Sequence, residues 1–587
     1  MKIVFIDSGF NPQDVNTKMF SGKTIQKKGE MFEISDGAID NLDHGTQVVN
    51  VFNNYYSGAQ VYMLKIIINL EEDVDVSSLI FALEYAHKEI RPDIINVSVG
   101  VEFCENYDLL HDRCKKLSND GIIIVSAYSN TGAMSFPAGF DCVIGVDWSL
   151  ECVKISDIII CFDNSNGKID VYCSSSLGKS DIRGNSFISP YVASLIATIM
   201  GKNAEETKSN LMKFAKKIIK TESKNALLKV PKEIKKAIVF PYNKEIKSLL
   251  LNSKLLVCDV SGIYDTKYSR NIGTKVVVND IDLTIENFKC INWDYDFDSL
   301  VLGHVDQIES ATKFSFKDYF VKKCAEHKKF LYSFENLPED NPYFQILNSR
   351  KSFYLPSVNS DTYNSARHGK LYRIPVPVVA VFGTGPRQGK FTLQQVLRHT
   401  LSNQGYSVGY LSTEPSGFLL GADAVFPNGY NSTIKLSPVA QISCINELLF
   451  DISKKSYDLI ITGGQSQVVC NTFGNIRAYP LDQYNFLIAT EPDLVVLCVN
   501  FHDEIDLIKR TITFVESAGD TLVIALVLFH KDNQLAVFYS SESKDYDKAE
   551  LCTRRSLIEH ETSKKVYTSN DNQLLSELAI SIVGELS

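Results

Sequence analysis

The stretch Arg183-Gly184-Asn185-Ser186-Phe187-Ile188-Ser189-Pro190, followed by Tyr191-Val192-Ala193-Ser194-Leu195-Ile196-Ala197, sets up the reading of this chain. Gly184 permits a tight backbone approach, Ser186 stands at the mouth of a helix, and Pro190 falls in an early turn that tolerates a missing donor. A serine so placed is a candidate nucleophile. Two upstream segments bear on it. Lys2-Ile3-Val4-Phe5-Ile6-Asp7-Ser8-Gly9 is an apolar run ending in a carboxylate and a turn, as a buried parallel strand ends. In Asp43-His44-Gly45-Thr46-Gln47-Val48-Val49 a histidine opens a helix whose Val48, Val49, Val51 and Phe52 can face a core. Singly, each residue has a plain role: Asp7 and Ser186 as helix caps, His44 as a histidine beside a core. Jointly they supply the nucleophile, base and orienting carboxylate that acyl transfer needs.

These segments, in the order Asp7, His44, Ser186, resemble the motifs of subtilisin-like serine proteases, the subtilases. A fourth match is Ile122-Ile123-Ile124-Val125-Ser126-Ala127-Tyr128-Ser129-Asn130, an apolar strand ending in the asparagine that the family uses in its oxyanion hole. The resemblance implies Ser186 as nucleophile, His44 as base, Asp7 as the group that holds the imidazole tautomer, and Asn130 as oxyanion donor. It also implies that Ser98, Val99 and Gly100 lie beside an extended substrate and that Ala127 and Ser129 line the pocket for the residue before the cleaved bond. Asn185 and Ser129 depart from the threonine and glycine usual at those places. Ser129 makes the pocket narrower, so small or slender residues are expected there.

The 587 residues predict about four domains at roughly 150 residues each. A composition of 44% hydrophobic and 22% charged residues supports several packed cores. The net charge of −10 argues against nucleic acid as a partner, because phosphate binding needs a basic face. Because the run from Met1 to Asp7 leaves no room for an apolar h-region of about 7–15 residues, neither a signal peptide nor a pro-segment is expected, and apolar runs stay short of the ~18 residues of a membrane span. The 13 cysteines are scattered and form no C-x-x-C pair, which fits neither a disulfide framework nor a zinc site. The expectation is a cytoplasmic protein with no membrane partner and no metal.

Residues 1–215 alternate strands and helices as in an α/β doubly wound, largely parallel sheet. A lysine-rich linker is expected over 216–236, its lysines read as solvated faces. A small α/β, Rossmann-like domain is expected over 237–365, with a long helical stretch across Asp306 to His327. The region from Asn341 to Tyr372 reads as a linker or crossing loop, and a P-loop α/β domain spans 371–587. In the last, Pro377-Val378-Val379-Ala380-Val381-Phe382-Gly383-Thr384-Gly385-Pro386-Arg387-Gln388-Gly389-Lys390-Phe391-Thr392 is a buried strand, a glycine-bearing loop and a helix start. That layout cradles phosphates at a helix N-terminus, with Gly383, Gly385, Gly389, Lys390 and Thr392 as candidate ligands. Thr384 replaces the first glycine of the strict spacing and Phe391 the metal-coordinating hydroxyl. Two readings stay open, an ATP/Mg site and a turn that inherits the geometry.

This half resembles a bacterial P-loop family related in motif to dethiobiotin-synthetase-like enzymes, some of whose members are assigned D-glutamate N-acyltransferase activity. The resemblance rests on the Gly383 to Thr392 loop, on Gly417-Phe418-Leu419-Leu420-Gly421-Ala422-Asp423 and on Gly464-Gln465; Gly463 stands where those relatives have a glutamate. The two-part arrangement is similar to peptide-maturation proteins of clostridial bacteriocin-like gene cassettes. The expected function is a serine endopeptidase that removes a leader from a precursor peptide, needing no cofactor for proteolysis. The alternatives are an acyl- or amide-forming P-loop enzyme, and a ligand-binding protein with a regulatory or vestigial protease domain.

Overall fold

In the computed structural model, residues 1–14, 19–69, 74–176, 183–224, 234–365, 367, 369–429, 431–470, 474–532 and 544–587 are described. The chain divides into two units. Met1–Asn225 and Asn364–Pro375 form the first, and Ala226–Tyr363 and Val376–Ser587 form the second.

In the first unit, the elements follow as β1 (Lys2–Asp7), β2 (Met19–Lys28), β3 (Met31–Asp36), α1 (His44–Tyr55), β4 (Gln60–Lys65), α2 (Val76–Tyr85), β5 (Ile94–Val97) and α3 (Tyr107–Asn119). They continue as β6 (Ile123–Ala127), β7 (Ile144–Trp148), β8 (Ile159–Asp163), β9 (Ile169–Cys173), α4 (Asn185–Thr198), α5 (Ala204–Phe214) and β10 (Lys217–Thr221). The ten strands make one sheet in the order β10-β8-β9-β7-β6-β5-β1-β4-β2-β3. Its pairings are parallel except for β2 with β3 and β8 with β9. Ile3, Val4, Phe5 and Ile6 are fully buried, as a strand covered on both faces requires. The core under the sheet gathers Phe5, Val48, Val49, Phe52, Val125, Val146 and Val171 with Ile188, Val192, Ala193 and Ile196 of α4. Apolar on nearly every side, α4 lies against α1, β5, β6 and β7. Central burial of this kind fixes the helix whose first turn carries Ser186.

The first unit runs past both boundaries expected from the sequence. Strand β10 falls in the stretch read as a linker after residue 215, and pairs in parallel with β8 from Lys217↔Ile159 to Thr221↔Asp163. Residues 225–233 of that stretch lie outside the described residues. Asn364–Pro375 then returns to the first unit from a region read as linker. The β2–β3 hairpin was also not anticipated, because its period-2 pattern is masked by mixed lysines and apolar residues.

The second unit holds two seven-stranded sheets. One pairs Lys236–Phe240 in parallel with both Asp259–Asp265 and Ser299–Leu302, and Phe330–Ser333 lies beyond the latter. Its edge hairpin, Lys275–Val278 with Ile281–Asn287, is antiparallel. In the other sheet Val378–Gly383 is central, with Leu459–Gly463 on one side and Leu494–Val499 on the other, all parallel. The two sheets share a core: Val239, Ile263, Phe330 and Tyr332 pack in one cluster with Leu419 and Leu420, and Phe391 and Phe418 border it. Tyr332 Oη donates to Pro415 O at 2.6 Å. The long helix expected across Asp306 to His327 is instead two helices, Asp306–Thr312 and Phe316–Glu326. Lys313 closes the first in a left-handed conformation and Ser315 caps the second through Asp318 N. The expected linker over Asn341 to Tyr372 contains a helix, Pro342–Ser349, opened by the Asn341 side chain on Tyr343 N.

Candidate functional site

Asp7 is the last residue of β1 and is fully buried; His44 is the first residue of α1, and Ser186 the second residue of α4. These ends of elements bring the three side chains together. His44 Nδ1 lies 2.8 Å from Asp7 Oδ1, and His44 Nε2 lies 3.0 Å from Ser186 Oγ. The bond from Nδ1–H to Asp7 leaves Nε2 as the acceptor for the Ser186 hydroxyl. The Phe187 ring, 4.9 Å from the imidazole centroid, walls one side.

Several groups hold this geometry. Ser8 Oγ donates to Asp40 at 2.9 Å and accepts from Gly45 N at 2.9 Å, while Thr46 donates to Asp40 through both its N–H and its hydroxyl, each at 2.8 Å. Asp40 and Ser8 therefore each satisfy a free backbone donor at the start of α1, the part played by a capping side chain. Gly45 is required by contact: a Cβ there would meet Gly9 O at 2.2 Å and Asp7 Oδ1 at 3.1 Å. Burial disfavours the charged imidazole of His44, but the Asp7 hydrogen bond and the charges of Asp7 and Asp40 outweigh it and raise the pKa above the ordinary histidine value. The carboxyl of Asp40 is held low because its hydrogen bonds to Thr46, Leu42 and Ser8 outweigh the burial that opposes them.

Asn130 and Gly184 meet beside Ser186. The Asn185 N–H donates to Asn130 Oδ1 at 2.9 Å, leaving the Asn130 Nδ2 hydrogens as donors toward an incoming oxygen. Gly184 has φ 122°, a conformation open to glycine, and a Cβ there would stand 3.4 Å from Asn130 Nδ2. Ser98, Val99 and Gly100 run on past β5; Ser98 is buried and accepts from Asn96 Nδ2 at 2.9 Å, and Asn96 in turn accepts from Ser189 Oγ at 2.6 Å. Ala127 is buried at the end of β6. Ser129 donates its N–H to Ser135 Oγ at 2.8 Å and its hydroxyl to Glu102 at 2.5 Å, and Thr131 donates to the same Glu102 oxygen at 2.5 Å. Asp40 and Glu102 were not singled out from the sequence, since neither sits in a motif.

In the second unit, Gly383 ends the central strand and Gly389 precedes the helix Lys390–Asn403. Lys390 is buried and donates to Gly385 O at 2.6 Å; Gly385 N donates to Gln388 Oε1 at 3.0 Å. Gln388 Nε2 reaches Thr384 Oγ1 at 2.7 Å, and Thr384 also bonds Asp503. The loop thus encloses its own lysine. Burial pushes the Lys390 amine down to about 8, with the Lys244 charge acting in the same direction. Thr392 is half-buried, one turn position beyond Phe391, which borders the shared core. At Gly463 a Cβ would meet Gln394 Nε2 at 2.3 Å and Val381 O at 2.6 Å, so a glutamate has no room there. Glu414, two residues past the strand Val408–Ser412, is a further acid near this loop; burial raises its pKa, and its field reaches Lys390.

Among the described residues, His111, Asp141 and Cys142 bring metal-ligand atoms within 4.8 Å of one another. His111 and Asp141 are already hydrogen bonded at 3.1 Å, and burial pushes the Cys142 thiol up to about 11, against ligation. No helix among the described residues is long and apolar enough to cross a membrane.

Residues 365–565 match the family described as "Domain of unknown function (DUF1611_C) P-loop domain", so the chain carries a P-loop domain of that description in its C-terminal part. No curated protein matches the chain. Among solved structures, a DUF1611 family protein from Anabaena variabilis is similar at 13% identity over 59% of this chain and 99% of its own, with a TM-score of 0.44. The self-cleaved protease domain of PatA is similar at 16% identity over 36% of this chain and 86% of its own, with a TM-score of 0.26. A nucleotide-binding protein from Archaeoglobus fulgidus in complex with ADP is similar at 16% identity over 34% of this chain and 86% of its own, with a TM-score of 0.22.

Proposed function

We propose that the first unit is a subtilisin-like serine endopeptidase acting on a peptide or protein precursor in the cytoplasm, and that the P-loop half binds a nucleotide. The observation that carries the first part is the pair of contacts at His44, 2.8 Å to Asp7 and 3.0 Å to Ser186, made by residues 37 and 142 positions apart in the chain. In the reaction, Ser186 Oγ attacks the scissile carbonyl as its proton passes to His44 Nε2, and the imidazolium is stabilised by Asp7. The oxyanion takes hydrogen bonds from Asn130 Nδ2 and the Ser186 N–H. His44 then gives the proton to the departing amine, and water, deprotonated by the same nitrogen, releases the acyl group. Ser98 to Gly100 would pair with the substrate backbone, and Ala127 and Ser129 would line the pocket for the residue before the cleaved bond. Removal of a leader from a precursor peptide is the substrate class that this two-part chain suits.

For the P-loop half, support comes from the strand–loop–helix layout around Lys390 and from the domain match over 365–565. Lys390 and the loop amides would hold ADP or ATP phosphates. Phe391 supplies no hydroxyl for a metal ion.

A fluorophosphonate probe tests the protease reading directly. The wild-type chain labels and Ser186→Ala does not; an unlabelled wild type, or equal labelling of the variant, overturns it.

A further inference from the structure

Asn364–Pro375 belongs to the first unit although the sequence on both sides of it, up to Tyr363 and from Val376, belongs to the second. Its start is fixed by reciprocal backbone bonds between Lys224 and Asn364, at 2.8 and 2.9 Å, and by Asn364 Nδ2 on Glu222 O at 2.8 Å. Farther on, Met134 N–H donates to Leu371 O at 2.8 Å. Between these anchors sits Lys370, only 8% exposed, paired with the equally buried Asp147 of β7.

The pair leads toward Ser186. Asp147 Oδ1 accepts from Asn185 Nδ2 at 2.9 Å, and that amide also reaches Tyr128 O at 3.1 Å. The backbone N–H of Asn185 holds Asn130 Oδ1 at 2.9 Å, and Ser186 is the next residue. Lys370 Nζ also stands 4.8 Å from the centroid of the Tyr128 ring, whose hydroxyl donates to Asp170 at 2.9 Å. Asp170 has its own cation, Lys168, at 3.0 Å. Two buried carboxylates are therefore matched by two lysines, and Lys168 is not free to replace Lys370. Without its cation Asp147 is left as an uncompensated buried charge, and the rearrangement that relieves it disturbs the acceptor that fixes Asn185.

We propose that Lys370 is a positioning residue for the oxyanion site: through Asp147 and Asn185 it fixes the amide of Asn130 beside Ser186. The inference rests on the protease reading. Its physical content is that the chain returning from the second unit completes the geometry in which negative charge develops on the substrate.

The test is peptide hydrolysis with kcat expressed per active site titrated by fluorophosphonate. Lys370→Met lowers kcat about 10–100-fold with KM changed less than about threefold, because the oxyanion interaction strengthens only in the transition state. Lys370→Arg, which keeps the cation, raises kcat at least about threefold above that of Lys370→Met. If Lys370→Met fails to fold, Asp147→Ala/Lys370→Met leaves no unpaired buried charge and shows the same loss. A folded Lys370→Met or double variant with wild-type kcat per titrated site overturns the inference. A wild type that does not label overturns the protease reading instead, which separates the two failures.

Discussion

His44 Nδ1 donates to Asp7 Oδ1 across 2.8 Å, and this contact sets the protonation of the candidate base. With the pKa of His44 raised above the usual ~6.5, the imidazole stays protonated to higher pH than a free histidine. A protonated imidazole cannot accept the Ser186 proton. The acid limb of kcat/KM for peptide hydrolysis therefore has its midpoint above ~6.5. Asp7→Asn removes the charge that raises it, lowering that midpoint and costing about 10⁴-fold in kcat, the loss seen for the analogous change in a serine protease of another fold. An acid limb centred below ~6, or an Asp7→Asn variant of wild-type kcat, contradicts this assignment.

The same pair has a stability consequence. The folded pKa of His44 exceeds the unfolded value, so the contribution is fully present below the unfolded pKa and is lost as pH rises through the folded one. Replacing His44 by Gln should thus cost more thermal stability at pH 5.5 than at pH 8.5. Melting curves of both proteins at the two pH values measure the difference, and an equal or opposite difference refutes it.

Gly45→Ala probes the close approach of α1 to β1. A methyl group directed at Gly9 O, 2.2 Å from the ideal Cβ, forces the helix start to shift, with a cost of about 1–3 kcal/mol for overpacking. His44 moves with it. Chemical denaturation should show that loss, and fluorophosphonate labelling should fall by at least about tenfold, the rate change that about 1.4 kcal/mol of lost positioning produces. Unchanged stability and labelling would mean that the backbone yields there without strain.

On the proposed protease reading, Ser129 bears on substrate choice. Its hydroxyl is tied to Glu102 at 2.5 Å, so it occupies a fixed place just past β6, next to Asn130. Ser129→Gly should widen the acceptance of the residue before the cleaved bond, raising relative cleavage after large side chains by roughly 10-fold, the order of one buried methylene. A peptide-library digest measures it. Efficient wild-type cleavage only after large aromatics would refute the narrow pocket.

Much of this arrangement could be read from the sequence because its members lie in short contiguous runs. Asp7 ends an apolar strand, His44 starts an amphipathic helix, and Ser186 is the second residue of an apolar helix that opens directly after Gly184; each carries local periodicity. Glu102 and Lys370 carry none. Glu102 becomes meaningful only when Ser129 folds next to it, and Lys370 reaches Asp147 across 223 residues of sequence. The boundaries failed for a related reason. A strand such as Lys217–Thr221, with only Ile218 and Ile219 apolar, is defined by its partner β8 rather than by its own pattern, and lysines on an edge strand look like a solvated linker. In the P-loop half, by contrast, Gly463 stands where the resembling family has a glutamate. The surrounding Gln394 and Val381 leave no space for one, so the residue is fixed by packing.

The P-loop lysine gives the last prediction. Lys390 is enclosed by the loop, donates to Gly385 O, and has its pKa pushed down to about 8 by burial and the nearby Lys244 charge. Phosphate binding requires the ammonium form and would raise this pKa, so binding above about 8 takes up a proton. Affinity for ADP should then be nearly constant from pH 7 to 7.5 and fall toward tenfold per pH unit above about 8.5, well past the phosphate's own titration. Isothermal titration in buffers of different ionisation enthalpy would show the proton uptake directly. Lys390→Met should weaken ADP binding by at least about tenfold and abolish the pH dependence, since the charge and its titration belong to the same nitrogen. Binding that is unaffected by Lys390→Met would remove this lysine from nucleotide recognition; binding that is lost in the variant yet independent of pH from 7 to 9.5 in the wild type would place the lysine's pKa well above the value that its burial implies.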